Sequence, residues 1–476
     1  MRRNFATLLG ILCFMLPAAR AAAAEERPNI LFILVDDLGK EWFSCYGAEG
    51  IETPNIDALA AGGMRFENCW CMPQCTPTRV TLLTGQYPFR HGWTNHWDVP
   101  RWGAGCHFDP RHNSSFGLVL REAGYSTCAA GKWQIDDFRV EPRAMHAADF
   151  GMDTITLAGF DQWCMWTGGE GGNEAASNER YWNPYVHEGE TSSTRKGEFG
   201  PDVYCNYLIN FLDEHRAEPM LLYFPMALTH GPNTTTPDEP EVKGKLDMHM
   251  AMVRYTDKLV GRLVAALEEA GIRERTVIVF TTDNGTSGVT GRRNGHDVPP
   301  SKAKMVEAGV SIPLIVNAPG RVPAGVVTDA LVDFTDFLPT FAELAGAKLP
   351  AEREVDGRSF APLLLGKAED SPREWIHSMG GRPEKLAEGR VVPAQPYDDR
   401  VLRDKRWKLW IDTNRRPAKL FDMRNDSWEE RNLIASEEPE AVAARERLAA
   451  IAAKFPERDA APRYEPNPPQ KWDKKR

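Results

Sequence analysis

The sequence predicts an α/β fold: a large mixed central sheet with helices on both faces, followed by a small C-terminal antiparallel sheet subdomain packed by a helix. Three observations carry this. Asn29–Val35 and Thr276–Thr282 are continuous, largely apolar runs without alternation, as parallel strands covered on both faces require. Helical patterns alternate with strand candidates over the first 370 residues, the order of a doubly wound sheet. Beyond about residue 370 the runs become short and turn-separated.

Further strands are expected at Thr127–Ala130, Met220–Phe224 and Ile312–Val316. Helices are expected at about Asn55–Gly62, Pro77–Thr84, Phe116–Ala123, Val203–His215, His249–Ala270 and Phe334–Leu344. Gly159–Gly200 is rich in Gly and Trp, has weak periodicity and reads as a long functional loop. Its Trp163, Trp166, Trp182 and Tyr185 either stack on sugar rings or only pack the loop. In the C-terminal part, Arg400–Arg403, Trp407–Asp412 and Lys419–Met423 read as strands. A helix near Glu440–Lys454 follows, with Pro439 suited to its first turn. The expected division is a signal peptide at 1–24, a catalytic α/β domain at 25–370, the C-terminal subdomain at 371–460 and a mobile tail at 461–476.

The chain has 476 residues, 57 Lys+Arg against 67 Asp+Glu, and a formal net charge of −10. Arg2 and Arg3 precede an apolar stretch through Leu16 and small residues ending at Ala24, the pattern of a secretory signal. The apolar run is shorter than the roughly 20 residues a membrane span needs. Cleavage there leaves 54 basic against 67 acidic residues, so the mature chain carries −13 and is expected to be exported, periplasmic or extracellular. Such a surface disfavours nonspecific nucleic-acid binding and makes any anion pocket depend on locally placed cations. Cys69, Cys71 and Cys75 have no His or Cys partners at zinc-ligand spacing, so zinc is not expected.

Each of the two strongest strands stops on oxygen-bearing side chains: Asp36-Asp37 after the first, Asp283-Asn284 after the second. Sites in open α/β sheets lie beyond the carboxyl ends of the strands. Four hard oxygen ligands meeting there suit Ca²⁺ or Mg²⁺; the alternative is that they only cap the next turn. Cys75-Thr-Pro-Thr-Arg79 opens a helical run, which places Cys75 at the positive helix end.

In context, the run Asp36-Asp37, Tyr46-Gly47, Thr53–Ala60, Gly63–Phe66, Cys75–Arg79, Leu82–Gly85, Pro88 and His91-Gly92 resembles the type I, formylglycine-dependent sulfatases of the alkaline phosphatase superfamily. Later matches are Gly131-Lys132-Trp133, Thr229-His230, Asp283-Asn284-Gly285, Lys302 with Glu307, and Leu420–Leu433, so the resemblance runs in order from about residue 28 to 433. It implies a sulfuric ester hydrolase whose Cys75 is converted to formylglycine by a maturation enzyme, the aldehyde hydrate being the nucleophile. A thiolate attacking sulfur leaves a product with no easy exit; a geminal diol has a second hydroxyl that expels sulfate. The resemblance further implies that Asp36, Asp37, Asp283 and Asn284 hold Ca²⁺, with Mg²⁺ as the alternative, and that residue 75 touches it. Arg79 would brace the diol, Lys132 bridge diol and sulfate, and Lys302 contact sulfate near the leaving oxygen, with Lys304 the rival for that place. His230 would protonate or hydrogen-bond the leaving alcohol.

Two positions depart from the family pattern. Gln134 stands where Gly-Lys-Trp-His is usual, and an amide is no general base. Either another histidine such as His91 supplies the base, or Gln134 orients the diol while water or a metal-bound group takes the proton, or the site turns over slowly. Ser311 stands where an arginine is usual. The expected substrate is a sulfate monoester on a carbohydrate or other small molecule. The alternatives are a phosphonate monoester or phosphodiester hydrolase on the same scaffold, and a non-catalytic binder of sulfated ligands.

Overall fold

The first strand, β1 (Asn29–Val35), is buried along its whole length. Its side chains alternate between two cores, as the two-residue repeat of a strand dictates. Ile30, Phe32 and Leu34 enter one layer; Leu31, Ile33 and Val35 enter the other. Both faces are covered, which is why the run shows no hydrophobic alternation. The computed structural model describes residues 27–96, 106–135, 154–166, 180–189 and 191–466; the expected signal segment lies outside them.

Along the chain β1 is followed by β2 (Met64–Trp70), β3 (Ser126–Lys132), β4 (Gln162–Trp166), β5 (Tyr185–Glu188), β6 (Thr191–Thr194), β7 (Met220–Pro225) and β8 (Thr276–Thr282). A hairpin, β9 (Gly291–Arg293) and β10 (His296–Val298), precedes β11 (Ser311–Asn317) and β12 (Val326–Asp333). Among the described residues, ten strands form the main sheet in the order β12-β2-β11-β8-β1-β7-β3-β4-β5-β6. β1 pairs in parallel with both β7 and β8, so Val35 and Thr282 stand side by side. β11 runs antiparallel between β8 and β2, which makes the sheet mixed.

Helices α1 (Pro54–Ala61), α2 (Cys75–Thr84), α3 (Phe116–Glu122), α4 (Gly200–Glu214), α5 (Lys245–Glu269) and α6 (Phe337–Ala345) cover the two faces. α2, α3 and α6 pack on the Phe32 side, and α1, α4 and α5 on the Ile33 side. Phe32 is ringed by Phe116, Tyr223, Phe337 and Phe341, with centroids 5.2–6.1 Å away.

The C-terminal part holds β13 (Ile376–Met379), a hairpin β14 (Lys385–Ala387) and β15 (Arg390–Val392), then β16 (Arg400–Arg403), β17 (Trp407–Ile411), β18 (Pro417–Asp422) and helix α7 (Pro439–Ala452). The antiparallel sheet β13-β16-β17-β18 packs Leu402, Leu409 and Leu420 against Ala441, Ala444 and Leu448 of α7.

Two expectations need correction. Among the described residues of 159–200 the chain is no simple loop: β4, β5 and β6 extend the sheet beyond β3. Trp163 lies in the core, and Trp166 lies under Arg180, whose guanidinium carbon is 4.2 Å from its ring centre. Trp182 donates to Thr235 O at 3.1 Å. Trp163, Trp166 and Trp182 thus each have a partner within the fold. Nor does the chain come free at 461. Tyr464 is buried, and its hydroxyl accepts from Val391 N at 3.0 Å. The rest of the expected tail, 467–476, lies outside the described residues.

Glu307 joins the two parts. It forms ion pairs with Arg403 of β16 and, at 3.4 Å, with Lys408 of β17. Burial raises its pKa, but Arg403 and Lys408 outweigh that and hold it down to about 2. An acid lowered on folding contributes its full stability above the unfolded value near 4.5, and loses it as pH falls toward 2. Glu307→Gln should therefore lower stability at pH 7 by about 2–4 kcal/mol. It should also flatten the loss between pH 4.5 and 2, both read by urea denaturation across that range.

Candidate active site

The site forms where β1 and β8 end together. Asp36 and Asp37 follow β1, and Asp283 and Asn284 follow β8; all four are buried. Asp283 N donates to Val35 O at 2.9 Å, and Asp283 Oδ1 accepts from Asp37 N at 3.1 Å. The segment after β7 is tied to the same edge: Asp36 N donates to Leu228 O at 2.8 Å and Thr229 N to Asp36 O at 2.7 Å. That places His230 Nε2 3.6 Å from Asp37 Oδ2.

Cys75 is the first residue of α2, with Pro77 in the first turn. Its Sγ lies 3.7 Å from Asp36 Oδ1 and 3.9 Å from Asp37 Oδ1. Lys132, the last residue of β3, brings Nζ to 3.8 Å from that sulfur and donates to Asp36 Oδ2. The preceding Gly131 has φ +131°, and a Cβ there would meet Pro225 O at 2.0 Å. Only glycine lets β3 run this close to β7 while delivering Lys132.

Three carboxylates thus meet three cations. Lys132 holds Asp36, Lys302 Nζ holds Asp37 Oδ2 at 2.8 Å, and Arg79 Nη2 holds Asp283 Oδ2 at 2.8 Å. Arg79 also donates to Lys132 O at 2.9 Å, locking α2 to β3. Lys304, the rival of Lys302, instead donates to Pro300 O from an exposed position.

Burial and charge divide the roles. Burial pushes Asp36 up, but the charges of Lys132 first and then Arg79 and Lys302 outweigh it and keep Asp36 ionised far below the usual carboxylate range. Asp37 is raised by burial and by the charge of Asp36, against the pull of Lys302. Asp283 is raised to about 6 by burial and Asp36, against Arg79. Burial pushes the Cys75 thiol up to about 12, so the residue as encoded is a neutral thiol and a weak nucleophile. His230 is held well below its ordinary value by burial, with Lys132 and Lys302 adding to it. It is therefore a neutral imidazole. Its Nδ1 lies 2.7 Å from Gly231 O and 3.1 Å from Arg180 Nη1. Arginine only donates, so the arrangement that uses Arg180 leaves the imidazole proton on Nε2, facing Asp37.

The donor set fits a hard dication. Asp36, Asp37, Cys75 and His230 offer ligand atoms within 4.8 Å of one another. Asn284 Oδ1 is buried with no hydrogen-bond partner, while Nδ2 of the same amide donates to Asp37 Oδ1 at 2.7 Å. An orphaned oxygen and two carboxyls raised by burial and then by the charge of Asp36 are what Ca²⁺ or Mg²⁺ would relieve, with Asp36, Asp37, Asp283 and Asn284 as the residues that would hold it.

The two departures in sequence have local answers. Lys40 Nζ donates to Ser311 Oγ at 2.8 Å and Glu67 O at 2.7 Å, placing a buried cation, lowered to about 8 chiefly by burial, beside the serine. His91 is corrected as the substitute base. It is buried against Thr81 Oγ1 at 3.0 Å, accepts from Trp93 N at 3.1 Å, and burial drives its pKa well down. The histidine that meets Gln134 is His96, whose Nε2 contacts the amide nitrogen.

Sequence reasoning missed His96, Arg180 and Thr286. Thr286 Oγ1 accepts from Gly39 N at 2.9 Å and Trp42 Nε1 at 3.0 Å, and Thr286 O accepts from Lys302 N at 3.1 Å. The signal for Thr286 was its place two residues after Asn284; Arg180 and His96 carried none. A separate cavity of about 550 Å³, lined by Lys40, Glu41, Arg293, Glu307, Arg403 and Trp428 among others, lies between the two parts of the chain and includes none of the reacting side chains. Asp37→Ala and Asn284→Ala should each weaken Ca²⁺ or Mg²⁺ binding by at least about tenfold. Calorimetric titration of metal-free protein checks this, with circular dichroism showing the fold retained.

Comparison with known proteins identifies the family. A family model described as Sulfatase matches residues 28–347, and one described as N-sulphoglucosamine sulphohydrolase, C-terminal, matches residues 301–454. The chain is 31% identical to N-acetylgalactosamine-6-sulfatase of Canis lupus familiaris over 377 residues, 73% of this chain and 67% of that one. It is 28% identical to Arylsulfatase A of Homo sapiens over 485 residues, covering 95% and 92%. Among solved structures, Ps i-CgsB in complex with k-i-k-neocarrahexaose superposes with a TM-score of 0.70 at 25% identity, covering 89% of this chain and 93% of that one. BT4656 in complex with D-glucosamine-2-N,6-O-disulfate shares the fold, with a TM-score of 0.65 at 22% identity and coverage of 90% and 98%. With two thirds of its length matched by the family model and the cation-lined strand ends in place, the chain belongs to the sulfatase family and is an enzyme of that class.

Proposed function

We propose that the protein hydrolyses a sulfate monoester on a carbohydrate, using the hydrate of a formylglycine made from Cys75 by a maturation enzyme. The observation that carries this is the meeting of residue 75 with Asp36, Asp37 and Lys132, beside the Lys302–Asp37 and Arg79–Asp283 pairs, at the strand ends. A bound Ca²⁺, or Mg²⁺, supplies Lewis acidity toward the sulfate oxygens. The chain's own groups do the rest. Lys132 and Lys302 lie within reach of residue 75 and Asp37, and supply the positive charge an anionic sulfate needs in an acidic protein. Arg79, tied to Asp283 and to Lys132 O, fixes the first turn of α2 and so the place of residue 75. His230, neutral, hydrogen-bonds the leaving oxygen through Nε2, with Arg180 behind it.

A carbohydrate substrate is favoured by relatives that include an N-acetylgalactosamine-6-sulfatase and by neighbours solved with neocarrahexaose and a glucosamine disulfate. The N-terminal pattern favours export. Among the described residues no helix is long and apolar enough to cross a membrane.

Purified protein co-expressed with a formylglycine-generating enzyme should carry an aldehyde at residue 75, seen by peptide mass and hydrazide labelling. It should release sulfate from members of a panel of sulfated mono- and oligosaccharides. Cys75→Ala should lower kcat by about 10³–10⁶-fold. Faster hydrolysis of an aryl phosphate or phosphonate than of the matched aryl sulfate would reassign the site to phosphoester or phosphonate chemistry. Full aldehyde occupancy with no sulfate released from any ester would sink the reading.

A further inference from the structure

No histidine stands at position 134, yet one reaches that position from another loop. Gln134 follows β3 in left-handed backbone, with φ +61°. Its carbonyl accepts from Thr76 Oγ1 at 3.0 Å, so it is fastened to the residue next to Cys75. Its side-chain nitrogen meets His96 Nε2. The loop carrying His96 is itself clamped from the C-terminal subdomain. Buried Glu384 accepts from Thr94 N at 3.0 Å and Thr94 Oγ1 at 3.1 Å, and Gly381 N donates to Thr94 O at 2.8 Å. Within the loop His96 N donates to Asn95 Oδ1 at 2.7 Å.

We propose that His96 is a positioning residue for Gln134, and that this pair stands in for the histidine the family places beside the nucleophile. An amide has a donor end and an acceptor end, and nothing intrinsic to it decides which end faces which neighbour. When imidazole Nε2 accepts from the Gln134 N–H, the remaining end is the carbonyl oxygen Oε1, an acceptor. A hydroxyl on residue 75 needs such an acceptor to orient its proton. His96 sets that polarity without touching the reacting atoms, and Glu384 holds the loop that carries it. The inference rests on the proposed aldehyde hydrate at residue 75.

The test compares kcat and KM on one aryl sulfate for His96→Ala, His96→Gln, Gln134→Ala, the His96→Ala/Gln134→Ala double variant, and Gln134→His with and without His96→Ala. Aldehyde occupancy at residue 75 is measured in each. His96→Ala and Gln134→Ala should each lower kcat by about 10–100-fold with KM within about twofold, and the double variant should be no slower than the slower single one. His96→Gln, whose side-chain carbonyl accepts the same N–H, should recover most of the rate. With Gln134→His the rate should cease to depend on residue 96. Wild-type kcat in both His96→Ala and His96→Gln at full aldehyde occupancy overturns the proposal, as do losses that multiply in the double variant. An unmodified thiol in active protein instead removes the proposed nucleophile, while the double-variant comparison still decides whether the two side chains act as one unit.

Discussion

The structure depends on keeping three carboxylates buried at the ends of two neighbouring parallel strands. Asp36, Asp37 and Asp283 are all within 2% of full burial. Isolated charges at that depth cost far more than a fold can supply, so each carboxylate must have a partner. Lys132, Lys302 and Arg79 are those partners, and each comes from a different element: the end of β3, the segment before β11, and the second turn of α2. The charge pairing therefore also fixes the relative positions of the pieces that carry Cys75 and His230. With carboxylates and cations balanced, an added dication turns the site positive, which suits an anionic ester in a chain whose net charge is −10.

Two substitutions relative to the family pattern show how a buried requirement is met from elsewhere in the chain. Where an arginine is usual, Ser311 accepts from Lys40, which enters from the turn after β1. Where a histidine is usual, Gln134 meets His96 from the loop after α2. In both places the interior needs a group of given charge or hydrogen-bonding character at a point in space, and which strand or loop delivers it matters less.

The C-terminal subdomain is tied into the catalytic part by charges as well as by apolar packing. Glu307 reaches Arg403 and Lys408, while Glu384 grips Thr94, whose loop contacts Gln134. Burial raises Glu384 to about 7, a sign of how completely that grip is shielded from water. The subdomain so bears on the site through Thr94 and His96, and its own sheet stays apart from the reacting side chains.

The two apolar strands that end on Asp36-Asp37 and Asp283-Asn284, the helix that opens at Cys75 and the family were legible in the sequence alone. β1 and β8 were legible because strands buried on both faces must be apolar throughout. Asp36, Asp37, Asp283, Asn284 and the Cys75–Arg79 run were legible because their chemistry is local to a few adjacent residues. β2 and β12 are harder to read because polar residues interrupt them, and β4 to β6 because such short strands take their order from pairing with their neighbours. It took the folded chain to show that Lys302 rather than Lys304 pairs with Asp37, that His91 is buried against Thr81, and that His96 meets Gln134. The Lys302 and His96 outcomes depend on contacts between residues 265 and 38 positions apart along the chain, and side-chain type says nothing about which distant partner folding brings into reach.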